Sequence, residues 1–236
     1  MHFLLLIFGL TVLIIGAESI IRGSVSLAKK LKVSLFAIGV VIVAAGTSLP
    51  ELANCIQTVF LNHSDVAVGA VVGSNIANII LIMGTTALLY PVLIITRNQV
   101  KQSIINLFIS FGFIIFSLFS LTINYVSGII FLIILLIIMT YQMKEEQVNI
   151  NEIEEQKTHS IFFTIFLISI GIAMLIFGSR IFIVSAIEIA KSFQIPESII
   201  GLSIVAFGTS VPELVVGVVS AMKKKVDFAL GNILGS

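Results

Sequence analysis

The chain has 236 residues, 58% hydrophobic and 11% charged, with a mean hydropathy of +1.19, whereas a soluble domain carries about 25% charged residues. A net charge of +1, its basic residues parcelled among short segments, provides no face for nucleic acid, and a single cysteine, Cys55, excludes an internal disulfide and a cysteine metal cluster. The composition is that of an all-α polytopic membrane protein whose principal partner is the lipid bilayer.

A window of about twenty residues, the length of helix that crosses a hydrocarbon core, gives candidate spans at 3–21, 34–60, 66–92, 103–121, 125–143, 161–183 and 196–222, with an eighth beginning near 226. The first lacks a basic leader region and a small-residue cleavage site, so it is expected to be a retained helix. Residues 144–157, KEEQVNINEIEEQK, are acidic and amide-rich and lack the ligand spacing of an EF-hand loop. They make 144–160 a linker between a first transmembrane half, 1–143, and a second, 161–236. Basic residues set the orientation. With the N-terminus outside the cell membrane, the cytoplasmic loops and the linker collect Arg22, Lys29, Lys30, Lys32, Arg97, Lys101, Lys144, Lys157, Lys223, Lys224 and Lys225, leaving Arg180 and Lys191 towards the outside.

Sliding the chain by 162 residues aligns 9–74 with 171–236 without a gap, and 23 of the 66 pairs are identical. The identities include Gly9 with Gly171, Gly16 with Gly178, Gly39 with Gly201, Asp65 with Asp227, Gly69 with Gly231 and Gly73-Ser74 with Gly235-Ser236. VAAGTSLPEL at 43–52 returns as VAFGTSVPEL at 205–214. Shared apolar content would exchange Ile for Val and would not hold glycines, prolines and acids in register, so the chain is a duplication. The first helices of the two copies are the first and sixth spans, an offset of five. That odd number makes the copies enter the membrane from opposite sides, as inverted repeats with a substrate site at the midplane between them.

Each duplicated block concentrates oxygen. Pro50 cannot donate to the Gly46 carbonyl and clashes with it, and Pro212 stands in the same relation to Gly208, so both helices are expected to kink and free carbonyls. Thr47, Ser48 and Glu51 fall within about one helical turn, and Thr209, Ser210 and Glu213 repeat them. In the next span Ser74 and Asn78, four residues apart, present two further oxygen ligands on one face. A carboxylate at midspan costs about 2.5 kcal/mol or more to insert and marks a pathway. Two facing half-sites of carboxylates and neutral oxygens suit a hard cation, calcium taking roughly six to eight such ligands. A softer metal would want histidine or thiolate, and His2, His63 and His159 lie at or near span ends. Glu18 and Glu188 have no acidic counterpart in the other copy.

The paired GTS-PEL blocks, each followed about twenty residues later by a G-x-x-x-G-S stretch that continues in the first copy as GSNIAN, resemble the alpha repeats of the sodium/calcium exchanger family within the cation/calcium antiporters. The resemblance covers essentially the whole chain. It implies a complete fold of ten helices in two inverted halves of five, with transported calcium and sodium ions and no cofactor. By the same resemblance Glu51 and Glu213 ligate calcium, helped by the backbone oxygens of Thr47 and Thr209. Sodium sites draw on the carbonyls of Ala44 and Ala206 and the hydroxyls of Ser48, Ser74, Ser210 and Ser236, with Asn78 beside the central site. One departure is Ala70, where the second copy and the usual pattern have asparagine, Asn232. A second is that the repeat partner of Asn78 would fall four residues past Ser236, so the repeat logic expects a parent of roughly 300 residues.

The expected activity is sodium/calcium antiport by alternating access, in a monomer, and not catalysis. The alternative is a proton/calcium antiporter of the same fold, in which Glu51 or Glu213 protonates during the cycle. The Thr-Ser pairs, which ligate an ion without a proton, favour sodium, and the asparagine that proton-using relatives carry in the GTS region is absent. An intramembrane hydrolase would need a base beside Ser48 or Ser210, and neither has a histidine nearby in sequence. A cation channel would leave the inverted repeat without a purpose.

Overall fold

The computed structural model describes residues 1–91, 97–119, 124–145, 159–200, 204 and 206–236. Most of the acidic linker, 146–158, lies outside the described residues. The described chain is helical: α1 His2–Leu31, α2 Leu35–Thr47, α3 Leu49–Phe60, α4 from Ser64 to Leu89, α5 Arg97–Phe119, α6 Tyr125–Glu145, α7 Ile161–Ser192, α8 Val211–Met222 and α9 Val226–Gly235, with single turns at Glu197–Ile200 and Ala206–Gly208. Five helices, α1 and α4 to α7, are individually long and apolar enough to cross a membrane, and α2 with α3 forms a sixth span that is bent.

Two helices outrun their expected spans. α1 continues past residue 21 to Leu31 and ends where Lys32 turns left-handed, its N–H on the Ala28 carbonyl. α7 continues past 183 to Ser192, after a start capped by the Ser160 hydroxyl, which accepts the Phe163 N–H. Arg22, Lys29 and Lys30 are therefore helix residues rather than loop residues. Their charge does not end the helix because it is satisfied on the helix surface: Arg22 pairs with Glu18 one turn back, Lys223 reaches the same carboxylate at 2.9 Å, and Lys191 pairs with Glu188. Lys29 and Lys30 lie in the last turn, where cations favour the helix dipole. The Glu18–Lys223 contact brings two of the expected cytoplasmic cations, Arg22 and Lys223, to one end of the bundle.

The core is the antiparallel pair α1 and α7, the first helices of the two repeats. A Cβ on Gly9 would lie 3.1 Å from the Gly178 carbonyl, and one on Gly16 would lie 3.0 Å from the Gly171 carbonyl. The repeat offset converts the first contact into the second. An exchange of that kind requires a pseudo-two-fold axis between antiparallel copies, so the repeats are inverted. Leu13, Ala17, Ile20, Leu175 and Ile168 fill the seam and join Val216, Val219 and Phe228 of the second repeat in one apolar cluster. With little hydrophobic drive between helices in lipid, small residues that let backbones touch hold such a pair together.

The second span of each repeat is broken, two residues before the proline that was expected to kink it. α2 and α3 meet at 42°, with the corner at Ser48, φ −85° and ψ 7°. Ser210 in the second repeat has φ −87° and ψ 7° before α8. Pro50 and Pro212 are not strained residues within a helix. They occupy the first turn of a new one, where a missing N–H costs nothing because it would be unpaired anyway. Two wide π-type turns, Gly39–Val43 in α2 and Asn78–Ile82 in α4, add local openings.

Because a Cβ at Gly171 would stand 2.8 Å from the Gly16 carbonyl, Gly171→Val should destabilise the bundle by roughly 1–3 kcal/mol. Gly112→Val, on a face of α5 with nothing within 4 Å, should leave stability nearly unchanged. Thermal unfolding of the two variants in detergent checks the contrast.

Candidate ion-binding site

The two breaks face each other. Glu51 lies in the first turn of α3 and Glu213 in the first turn of α8, where the positive end of each helix offsets part of the carboxylate charge. Each block lends its hydroxyls to the other repeat. Ser48 donates to Glu213 Oε1 at 3.1 Å, and Thr47 stands beside the same carboxylate. Thr209 stands beside Glu51 without closing a hydrogen bond. The carboxylates are near enough to repel one another. Glu213 is 1% exposed and Glu51 is half-buried, and neither forms an ion pair among the described residues.

Around them polar atoms wait without partners. Both oxygens of Glu51, Oε2 of Glu213, the Ser210 hydroxyl, both amide atoms of Asn78 and the Asn232 Nδ2 are buried and unbonded. A buried polar group left unpaired costs about 1–3 kcal/mol, more when charged, so this cluster is a structural liability unless something fills it. No group of three or more His, Cys, Asp or Glu side chains comes together among the described residues. The charge available to a ligand here is two carboxylates set among neutral oxygens, a hard-cation environment.

The sequence-predicted residues do not all converge. Asn78 sits in the wide turn of α4 that packs against α8, the helix that Glu213 opens. Ser210 and Ser48 flank the corners. The Ala44 carbonyl already accepts the Ser48 N–H at 3.0 Å and the Thr47 hydroxyl at 3.2 Å, so an ion taking it would displace a bond. Ala206 opens the turn Ala206–Gly208 just before the second corner. Ser74 is half-buried one turn before Asn78, with no recorded contact to either glutamate. Ser236 turns its hydroxyl to its own helix, onto the Asn232 carbonyl at 2.8 Å. One residue enters that spacing alone did not place: Asn232, fully buried, accepts from the Thr47 hydroxyl at 3.3 Å. It reaches α2 because α9 approaches backbone to backbone, a Cβ on Gly231 falling 2.4 Å from the Phe36 carbonyl. Its signal in the sequence was the mismatch with Ala70.

The fold and this arrangement define a class: helical membrane proteins of two inverted repeats, each contributing one buried carboxylate beside a broken helix. Comparison with known proteins makes the class specific. The sodium/calcium exchanger protein family model matches residues 1–144 and 163–236, and the chain belongs to that family. It is 32% identical to an uncharacterised membrane protein of Methanocaldococcus jannaschii, over 98% of this chain and 75% of the relative. It is 30% identical to the sodium/calcium exchanger MaX1 of Methanosarcina acetivorans, over 100% of this chain and 79% of that one. The solved structure of the sodium-calcium exchanger NCX_Mj soaked with zero Na+ and Ca2+ superposes with a TM-score of 0.84 at 30% identity, across 100% of this chain and 76% of that chain. The same exchanger soaked with 10 mM Na+ and 10 mM Sr2+ gives 0.83.

A site that is destabilising when empty has a thermal signature. Glu213→Gln removes a buried unpaired charge, so it should raise the melting temperature measured without added cations. Added calcium should raise the melting temperature of the unsubstituted protein and leave that of Glu213→Gln unmoved.

Proposed function

We propose that the chain carries the ion-translocating core of a sodium/calcium antiporter that works by alternating access. The observation behind this reading is the pair of buried carboxylates, one from each inverted repeat, with no counter-cation among the described residues and a shell of unpartnered neutral oxygens. With both glutamates ionised the empty site holds two negative charges away from water, and occluding it would be strongly unfavourable. One calcium neutralises the pair. Sodium ions spread over several weaker oxygen sites do the same. Only the loaded forms then cross between inward- and outward-facing states, and the two fluxes are coupled.

In this reading Glu51 and Glu213 hold calcium with the backbone oxygens of Thr47 and Thr209, and Asn78 stands beside them. Ser48, Ser74, Ser210 and Ser236, with the carbonyls of Ala44 and Ala206, form the flanking sodium sites. Asn232 fixes the Thr47 hydroxyl from α9. Both glutamates come from one chain, so a monomer suffices. The N-terminus is outside, and the linker between the halves 1–143 and 161–236 is cytoplasmic, the side on which Arg22 and Lys223 share Glu18.

Calcium-45 uptake into proteoliposomes holding the full-length chain tests the coupling. Uptake should require an outward sodium gradient and fall to background in Glu51→Gln and Glu213→Gln. Uptake driven instead by a pH gradient, and indifferent to sodium, would establish the proton-coupled alternative with one glutamate as proton carrier. If more than two sodium ions exchange per calcium, the rate should respond to membrane potential, each net charge moved being worth about 2.3 kcal/mol per 100 mV. Clamping the potential with potassium and valinomycin reads that response.

A further inference from the structure

Helical serines and threonines in this molecule mostly return their hydroxyl protons to their own backbone: Thr11 to Ile7, Ser19 to Ile15, Thr58 to Asn54, Ser103 to Gln99, Ser117 to Phe113 and Thr140 to Leu136, as membrane helices usually arrange. Thr86 and Ser220 do not. Thr86 is 1% exposed and Ser220 fully buried, and neither hydroxyl has a partner. They belong to the two elements that face each other below Glu213. On α8, Glu213, Gly217 and Ser220 fall at i, i+4 and i+7, one face of the helix. Thr86 of α4 is aimed at that face, its Oγ1 only 3.1 Å from where a Cβ on Gly217 would stand.

From Glu213 these groups run down α8 towards Lys223, which binds Glu18 at the same end as Arg22. We propose that Thr86 and Ser220, with Gly217 between them, line the route by which the transported cation passes between the paired glutamates and the side of the membrane holding Arg22 and Lys223. A hard cation leaving a carboxylate needs oxygen to replace what it gives up, and two unengaged hydroxyls supply it at successive turns. Gly217 brings no side chain to this face, where even a methyl group would meet the Thr86 hydroxyl. The other repeat is built differently. Cys55 and Thr58 stand at the positions equivalent to Gly217 and Ser220, Cys55 lying near the Ala67 carbonyl and Thr58 bonding its own helix. The open face of α8 is therefore particular to the second repeat, and Thr86 of the first repeat completes the route. It rests on the transport reading above, without depending on which ion is exchanged for calcium.

The test places a cysteine at Thr86 or Ser220 in full-length chain carrying Cys55→Ser, with Val219→Cys as a buried control facing the apolar cluster. In proteoliposomes, cationic trimethylammonioethyl methanethiosulfonate should modify Thr86→Cys and Ser220→Cys about tenfold or more faster than its anionic sulfonatoethyl analogue. Saturating calcium should slow that reaction, and Val219→Cys should not react. Equal rates for the two reagents, or reaction no faster than the control, overturn the route. A second variant guards against misfolding. Thr86→Val should cut the calcium exchange rate about tenfold while equilibrium calcium-45 binding stays unchanged, and Thr86→Ser should restore the rate. A Thr86→Val rate equal to that of the unsubstituted protein overturns the proposal. If the cysteine pattern holds while the unsubstituted protein exchanges no sodium for calcium, the coupling reading falls and the cation route stands.

Discussion

Two carboxylates buried without a counter-cation among the described residues govern the rest of this structure. An ionised carboxylate in a low-dielectric interior carries an effective penalty of several kcal/mol even after relaxation, and here two of them repel one another. The surroundings lower the penalty only in part. Each glutamate opens a helix, so the dipole and the free N–H groups of the first turn oppose its charge. One oxygen of Glu213 takes the Ser48 hydroxyl, and the other three carboxylate oxygens take nothing. Stabilisation stopping at that point leaves room for a cation to supply the remainder, which a lysine or arginine in the same place would have taken up permanently.

The scaffold explains why such a strained centre persists. α1 and α7 interlock glycine against backbone along their length, and the apolar cluster they form extends into α8 and α9. That body carries the folding stability and allows the centre to remain unsatisfied. The broken helices then complete one another across the axis: Ser48 and Thr47 of the first repeat serve the second, and Thr209 of the second approaches the first. Neither half-site is finished by its own repeat. A movement that rotates the repeats apart must therefore disturb both halves of the site together, which is the mechanical requirement for gating one side at a time.

The sequence made the repeat legible because glycines, prolines and acids have no hydrophobic substitutes, so their register survives where Ile and Val drift. The broken helices were legible in kind but misplaced, since a proline both excludes itself from a helix interior and suits a helix start, and only the folded chain shows which applies. The lengths of α1 and α7 were not legible from hydropathy, which ends the spans near 21 and 183 whether or not the helix ends there. Contacts between distant residues, such as Thr47 with Asn232, were beyond reach of spacing, although the exception at Ala70 marked one member. Thr86 and Ser220 were missed because Thr86 lies past the aligned stretch 9–74 and Ser220 aligns with another hydroxyl, Thr58, so a search for residues that repeat is blind to what sets them apart.

That blindness has a physical counterpart in the site. The 162-residue offset makes Thr209 the equivalent of Thr47, but the position facing Thr209 in this sense is Ala70, which has no amide to offer. Within the stretch that both copies share, the Thr47 side gains the Asn232 amide, and the Thr209 side has the Ala70 methyl in its place. A two-fold-symmetric backbone thus holds a centre whose halves differ at one amide. In the transport reading proposed above, an ion drawn from one solution and released to the other meets these halves in sequence, so that single difference lets a symmetric fold hold it unequally on the two sides of its midplane.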